Sequence, residues 1–342
     1  MDRGLLCVLT PARSSTNCAQ CLASTVSPLH CPTCSAVVFC SGQCRGEALA
    51  THHRAECRLG LTDLSRLQSC SALLLILRFF TQKSQQFFRD NREDFTRAME
   101  GGPGDSEAPY LSSDYLRLLG LVCHRKEALL EQVWQLTLAL FLLQCLAHSG
   151  WLDHRLDQQS DLTEEDVYLA MLAVHMRGVT SYNTHQVGER LSGTESLLQT
   201  RELGLAVRPT VALLNHSCWP NTVRCSAGRE VVIMATRTIN TGQEVTDIYT
   251  ECFYEAALVT RQKKCGEYQF QCRCEACQAD WPLLSSLPSS LQDTPPHLMA
   301  NIPRHLLASL GQEIKLLQDQ ANLHWNGGNI TLSRGQMISL DV

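Results

Sequence analysis

Eleven of the chain's 18 cysteines fall into patterns that could hold metal. Within forty residues lie four close pairs of donors: Cys18-x2-Cys21, Cys31-x2-Cys34, Cys40-x3-Cys44 and His53-x3-Cys57. Zinc takes thiolate and imidazole donors in tetrahedral fours, and a close pair on one turn supplies two of them. Eight donors in four pairs therefore predict two zinc ions. The bland alternative is buried thiols used only for packing, but those occur singly rather than in four consecutive pairs. His52 adjoins His53 and is an alternative donor; the spacing to Cys57 favours His53, and His30 reads as a bystander. Sites closed by four protein donors leave no position for water, which predicts structural rather than catalytic zinc. A second group, Cys272-x-Cys274-x2-Cys277, is one donor short. A distant residue must complete it, and the candidate is Cys218 in Leu213-Leu-Asn-His-Ser-Cys-Trp-Pro-Asn221.

Metal rather than disulfide chemistry needs a reducing compartment. The apolar run at the start, Leu5 to Leu9, is shorter than the roughly 7–15 residues of a signal-peptide core. The longest apolar stretch, Val133 to Ala147, is broken by Gln135, Thr137 and Gln144 and falls short of the roughly 20 residues of a membrane span. It reads as a buried core helix, and no membrane association is expected. Asn215-His-Ser217 and Asn329-Ile-Thr331 match the glycosylation sequon only by chance on this reading. The formal charge of −5 counts against direct nucleic-acid binding. The expected location is cytoplasm and nucleus.

The elements that must position these donors divide the chain by composition. Leu5–Thr10 reads as a strand leading into the donor-rich residues 18–57. Residues 58 to about 200 have helical periodicity, with long apolar faces in Leu61–Phe80 and Leu129–Leu146. Gly101 to Ser106 breaks the helical groups, and Asp161-Leu-Thr-Glu-Glu-Asp166 has the pattern of a capped, acidic first turn. From about residue 204 short β-like runs take over; Thr222–Cys225 and Val231–Ala235 around Gly228 predict a hairpin. Pro282 to Pro303 reads as a linker, and His305–Leu323 as one further helix.

The first donor cluster, ending in His53-Arg-Ala-Glu-Cys57, resembles the MYND zinc finger, and Asn-His-Ser-Cys-x-Pro-Asn resembles the central motif of SET-domain methyltransferases. Together they are similar to the SET and MYND domain (SMYD) family of protein-lysine methyltransferases, and within it most like its fourth subgroup. The likeness covers roughly residues 16 to 281. It implies interleaved finger sites, one zinc on Cys18, Cys21, Cys40 and Cys44 and the other on Cys31, Cys34, His53 and Cys57, and a third zinc on Cys218, Cys272, Cys274 and Cys277. Gly242-Gln-Glu244 followed by Tyr249 resembles the family's Gly-Glu-Glu run with its catalytic tyrosine. Tyr268-Gln-Phe270 resembles the aromatic pair near the cofactor, and Asn183 the cofactor-contacting asparagine that ends the helical insert. Each alone has an ordinary reading as a core aromatic or a satisfied buried amide.

The implied fold is α+β: a SET β core with a large helical insert, a MYND finger, a Cys-rich post-SET zinc segment and a C-terminal helical remnant. The expected division is 1–17 for leading SET strands, 18–57 finger, 58–203 helical insert, 204–251 catalytic core, 252–281 post-SET and 282–342 linker and helix. The implied cofactor is S-adenosylmethionine, held by Asn183, Asn215, His216, Tyr249 and Phe270, with Tyr249 catalytic. Implied partners are a lysine-bearing protein substrate, histone or not, and proline-rich peptides or co-repressors on the finger. Relatives carry a strand pair with a Gly-x-Gly turn before the finger; here 17 residues precede Cys18, and the chain is expected to be truncated at that end. A finger-based adaptor with impaired catalysis is the rival reading. A DNA-binding zinc protein is a third, disfavoured by charge and by the lack of a base-reading helix.

Overall fold

The structure, a computed structural model, describes residues 6–59, 70–101, 114–124, 129–154, 156, 161–190 and 200–286. The expected helix at His305–Leu323, most of the Pro282–Pro303 stretch and residues 102–106 of the glycine break lie outside these, as do residues 61–69 of the first apolar segment.

Strand β1 (Leu6–Leu9) is buried along its whole length, in the place expected for it. The donor-rich segment follows as a two-stranded ribbon, β2 (Leu29–His30) and β3 (Val38–Phe39), and two helices, α1 (Gly42–Ala50) and α2 (His52–Arg58). The Ser41 hydroxyl accepts the Cys44 N–H at 3.1 Å and so caps α1. Apart from its thiols the finger buries only Ala19, Leu22, Val37, Val38, Phe39, Ala48 and Ala55 among its apolar residues. That is too little apolar surface to hold forty residues together without a metal.

The helical layer comprises α3 (Cys70–Thr81), α4 (Gln85–Asp90), α5 (Arg92–Met99), α6 (Tyr115–Leu119), α7 (Leu129–His148) and α8 (Glu164–Asn183). The start of α8 is a capping box: the Thr163 hydroxyl accepts the Asp166 N–H, and the Asp166 carboxylate accepts the Thr163 N–H. At the centre of the layer Phe79, Phe88 and Phe95 pack around Tyr115, and Phe80 meets Phe79 edge-to-face at 5.0 Å. Each such ring contributes about 2–3 kcal/mol by leaving water.

One expectation needs correction. Helix α7 is buried only on the side carrying Leu138, Ala139, Leu142, Leu143 and Leu146; Val133, Trp134, Leu136 and Phe141 are exposed. Apolar residues occur all round this helix while only one side meets the layer, so periodicity could not separate covered from uncovered positions. At 20 residues it is also, by length and composition, long and apolar enough to cross a membrane.

From α8 the chain passes directly into β4 (Thr184–Arg190) and returns as β5 (Thr200–Val207). The sheet order is β1-β5-β4, antiparallel, with Leu6 opposite Val207 and Leu9 opposite Gly204. Thus β4 and the start of β5 fall in a region whose composition reads as helical. Gly204 is required there: a Cβ would lie 1.9 Å from the Val8 carbonyl oxygen. Next come β6 (Asn215–His216), the hairpin β7 (Thr222–Ala227) and β8 (Glu230–Ala235), and β9 (Thr246–Asp247). Gly228 turns the hairpin with φ +59°, as predicted. The two-residue parallel pairing of β6 with β9 brings Asn215 beside Thr246 and His216 beside Asp247. Two short helices, α9 (Leu258–Glu267) and α10 (Glu275–Gln278), close the described chain. The whole is α+β.

Candidate metal centres and candidate active site

Three sets of four donors converge. In each, the ligand atoms all lie within 4.8 Å of one another: Cys18, Cys21, Cys40 and Cys44; Cys31, Cys34, His53 and Cys57; Cys218, Cys272, Cys274 and Cys277. A tetrahedral zinc with sulfurs about 2.3 Å away holds them about 3.8 Å apart. The measured separations match: Cys21–Cys40 and Cys40–Cys44 at 3.6 Å, Cys31–Cys57 at 3.8 Å, Cys218–Cys272 at 3.9 Å and Cys218–Cys277 at 3.5 Å. His53 turns Nε2 to within 3.6 Å of Cys34 Sγ, whereas His52 points Nδ1 at the Thr51 hydroxyl. Of the two adjacent histidines, His53 is the one whose ring joins the thiol set.

Close packing couples the ionisation of these thiols. Hydrogen bonding from Cys21 holds Cys18 down at about 4, while Cys21 is pushed well up by the same partner and by burial. In the third set, bonding to Cys272 and Cys274 raises Cys218 and that from Cys218 lowers Cys274. One thiolate forms at its neighbours' expense, and a divalent ion among them would let all four ionise. Beside the third set lies Arg261, fully buried, with Nη2 3.8 Å from Cys277 Sγ and Nη1 on the Phe253 and Ala256 carbonyls. Among the described residues it has no carboxylate partner. Four thiolates around a zinc carry net negative charge, which is what a buried guanidinium needs. The donors present therefore fit zinc at all three places.

The second finger set is braced from behind. Glu56 sits 3.8 Å from His53 Nδ1 and takes a two-pronged contact from Arg78, Nε to Oε1 at 2.5 Å and Nη2 to Oε2 at 3.0 Å. Arg78 Nη1 also donates to the Cys7 carbonyl. Burial opposes ionisation of Glu56, yet Arg78, His52 and His53 hold its carboxyl well below the usual range. One buried relay thus joins the finger, α3 and β1.

The third set borders a cluster of half-buried rings. His216 lies 5.4 Å from Tyr249 and 5.5 Å from Phe270, and Tyr249 lies 5.5 Å from Tyr268. Tyr182 continues the series, 6.2 Å from Tyr268 and 4.8 Å from His124. The Tyr249 hydroxyl donates to the Leu214 carbonyl at 2.6 Å, and the Tyr249 N–H to His216 Nδ1 at 3.0 Å. Burial raises the Tyr249 phenol, with Asp247 adding to it, so it stays protonated. Burial likewise pushes the His216 imidazole down to about 4. The Asn215 side chain is exposed and donates to Glu244 Oε1 at 2.6 Å. Asn183 is buried, and its amide nitrogen donates to the Val122 and Val179 carbonyls, both at 2.8 Å.

Sequence reasoning missed several participants. Tyr182, adjacent to Asn183, is the residue of that helix end whose ring joins the cluster. Glu56 stands inside the motif that identified the finger, and its spacing of three from His53 was the available signal. Arg78 and Arg261 carried none, because nothing local distinguishes them from solvated arginines. A cleft of about 690 Å³ lies away from the rings, between the finger and β4 and the β7–β8 hairpin, lined by Glu47, Glu189 and Glu230 among others.

Comparison with known proteins agrees with this geometry. The SET domain family matches residues 67–250, more than half of the chain, and the MYND finger matches residues 18–57. The chain is 25% identical over 311 residues to the protein-lysine N-methyltransferase SMYD4 of Pongo abelii, covering 77% of this chain and 39% of that protein. It is 24% identical over 262 residues to the human histone-lysine N-methyltransferase SMYD3, covering 76% and 51%. It is 24% identical over 272 residues to the N-lysine methyltransferase SMYD2-B of Danio rerio, covering 79% and 52%. The chain thus spans two-fifths to about half the length of these curated relatives.

Proposed function

Because the chain belongs to the SET-domain family, in its SET–MYND branch, we propose that it is a protein-lysine N-methyltransferase acting with S-adenosylmethionine. The observation that carries this is the ring cluster built on His216, Tyr249 and Phe270 beside the third thiol set. Half-buried aromatic faces with a backbone carbonyl among them suit a nucleoside bearing a sulfonium cation.

The cofactor supplies a methyl group already activated on sulfur. The chain's residues would bind and align. Phe270 offers a face for the adenine, and the backbone at Asn215 and His216 holds the amino-acid end. Asn183, its amide nitrogen engaged, offers its side-chain oxygen. Tyr249 floors the lysine channel; with its proton on Leu214 O, its phenol oxygen can accept an N–H and aim the amine lone pair. Loss of water in a narrow channel disfavours the strongly hydrated ammonium, so the substrate lysine loses its proton more readily. Two zincs would hold the finger, and a third, on Cys218, Cys272, Cys274 and Cys277, would lock Phe270 against His216. That lock is positional, and alignment of the two reactants is the protein's main contribution to rate. The substrate would be a lysine-bearing protein, histone or not, and the finger would take proline-rich or co-repressor segments. Cytoplasm and nucleus, where metal-binding thiols stay reduced, are the fitting compartments.

Calorimetric titration of the zinc-replete chain with S-adenosylmethionine tests the proposal. Saturable heat at one site per chain is expected. Absence of heat rejects the enzyme reading for this chain and leaves the finger as a binding module.

A further inference from the structure

Helix α7 is uncovered along one continuous side. Leu130, Val133, Trp134, Thr137, Leu140, Phe141 and Gln144 are exposed there, and all but Thr137 and Gln144 are apolar. They recur at steps of three and four, the spacing of a seam that a second helix fills. The opposite side carries Leu138, Ala139, Leu142, Leu143 and Leu146 and is packed into the helical layer. The apolar members of the seam are between 38% and 83% exposed. At roughly 150–250 Å² for a large side chain in the open, they present on the order of 550 Å². The flanking Leu129 and Leu136, 75% and 54% exposed, bring this to about 800 Å². A monomer's surface seldom holds an apolar patch this large. It is about what each partner of a stable dimer buries.

The order of these residues points to what covers them. The seam reads the same from either end about Thr137, with Trp134 and Leu140, Val133 and Phe141, and Leu130 and Gln144 equally far on its two sides. A second copy laid antiparallel about a two-fold axis at Thr137 therefore sets Trp134 on Leu140, Val133 on Phe141 and Leu130 on Gln144. Thr137 meets its own copy at the axis. Its hydroxyl already donates to the Val133 carbonyl at 2.8 Å, so it can be covered without stranding a donor. Glu131, the one residue of α7 charged at neutral pH, lies off the seam, so pairing brings no like charges together. A lipid surface fits less well. Helices that lie on membranes carry Lys or Arg beside their apolar face, and α7 has neither.

We propose that the chain forms a symmetric homodimer through α7, the two copies of the helix running antiparallel about Thr137. The same surface serves on both copies, so the interface closes at two and does not propagate. Trp134, the largest ring in the seam, is its anchor.

The test is sedimentation equilibrium of the zinc-replete full chain. The mass should rise from 38.1 kDa to twice that value as the concentration increases to about 100 μM. Trp134→Glu and Leu140→Lys, both at exposed positions, should each weaken association about tenfold or more, with zinc content and circular dichroism unchanged. Mixed in equal amounts, the two variants should associate again, because the antiparallel register sets the introduced carboxylate against the introduced ammonium. A single-copy mass at every concentration, assemblies larger than two, or a mixture no tighter than either variant alone overturns the proposal. So does flotation of the chain with phosphatidylcholine–phosphatidylserine vesicles that Trp134→Glu abolishes, which identifies a membrane surface as the occupant.

Discussion

His216 Nε2 lies 3.3 Å from the sulfur of Cys218. Because Nδ1 accepts the Tyr249 N–H, Nε2 carries the ring hydrogen and directs it at that sulfur. A single neutral imidazole thus spans from the proposed catalytic tyrosine to a proposed zinc ligand. Disturbance of the third thiol set is therefore felt at Tyr249.

Tyr249→Phe keeps the ring contacts and removes the hydroxyl bonded to Leu214 O. Methyl transfer should fall about a hundredfold or more, while S-adenosylmethionine binding changes little. Single-turnover assays paired with calorimetry check this. An unaltered rate would mean another residue orients the amine.

Metal analysis of the intact chain should give three zincs, and Cys218→Ser should lower the count to two. Arg261→Met should leave three zincs but weaken the third by about 10–100-fold, since the buried cation beside Cys277 is gone. Chelator competition, which reads each zinc by its release, distinguishes this from damage to the finger. Equal release from all sites would show that Arg261 has no specific role at Cys277.

Arg78→Met strands the Glu56 carboxylate in the interior. Leaving one member of a buried pair alone costs about 3–5 kcal/mol. Paired replacement with Glu56→Leu should recover much of it. Denaturant unfolding at fixed free zinc measures both, and additive losses would show that the two residues do not act as a pair.

Gly204→Ala drives a methyl group into the Val8 carbonyl and should separate β1 from β5, at a cost of about 3 kcal/mol or more. Hydrogen exchange localises the effect. Retained protection at Leu6 to Leu9 would contradict the close approach.

His185, on β4, is buried and its imidazole is pushed from 6.5 down to about 3, mainly by burial and further by Arg224 and Arg208. Between those values the unfolded chain binds a proton that the folded chain does not. The stability contribution is therefore complete above pH 6.5 and is lost as pH falls toward 3. From pH 7 to 5 the loss is about 2 kcal/mol. His185→Gln should remove that much of the pH dependence of unfolding; equal slopes in both proteins would place His185 in contact with water.

The helices around Phe79 and Leu142, the capping box at Thr163 and the turn at Gly228 were legible because periodicity, caps and turn residues act over a few positions. The same holds for the donor pairs of the finger and for the run around Cys218, whose spacing is itself the signal. Less legible were β4, where a helix runs without punctuation into a strand, and the exposed side of α7, where apolar residues cover every face.

By itself, the order of residues determined which side chains could bind metal and which short segments would curl or extend, since those depend on neighbours in the chain. Only the tertiary structure decided that His53 rather than His52 turns toward Cys34, that Arg78 reaches Glu56, that Arg261 backs Cys277 and that His216 joins Tyr249 to Cys218. Each of these depends on burial and on groups brought together across the fold. The strength of a charge contact is set by the water it excludes, which no local pattern records.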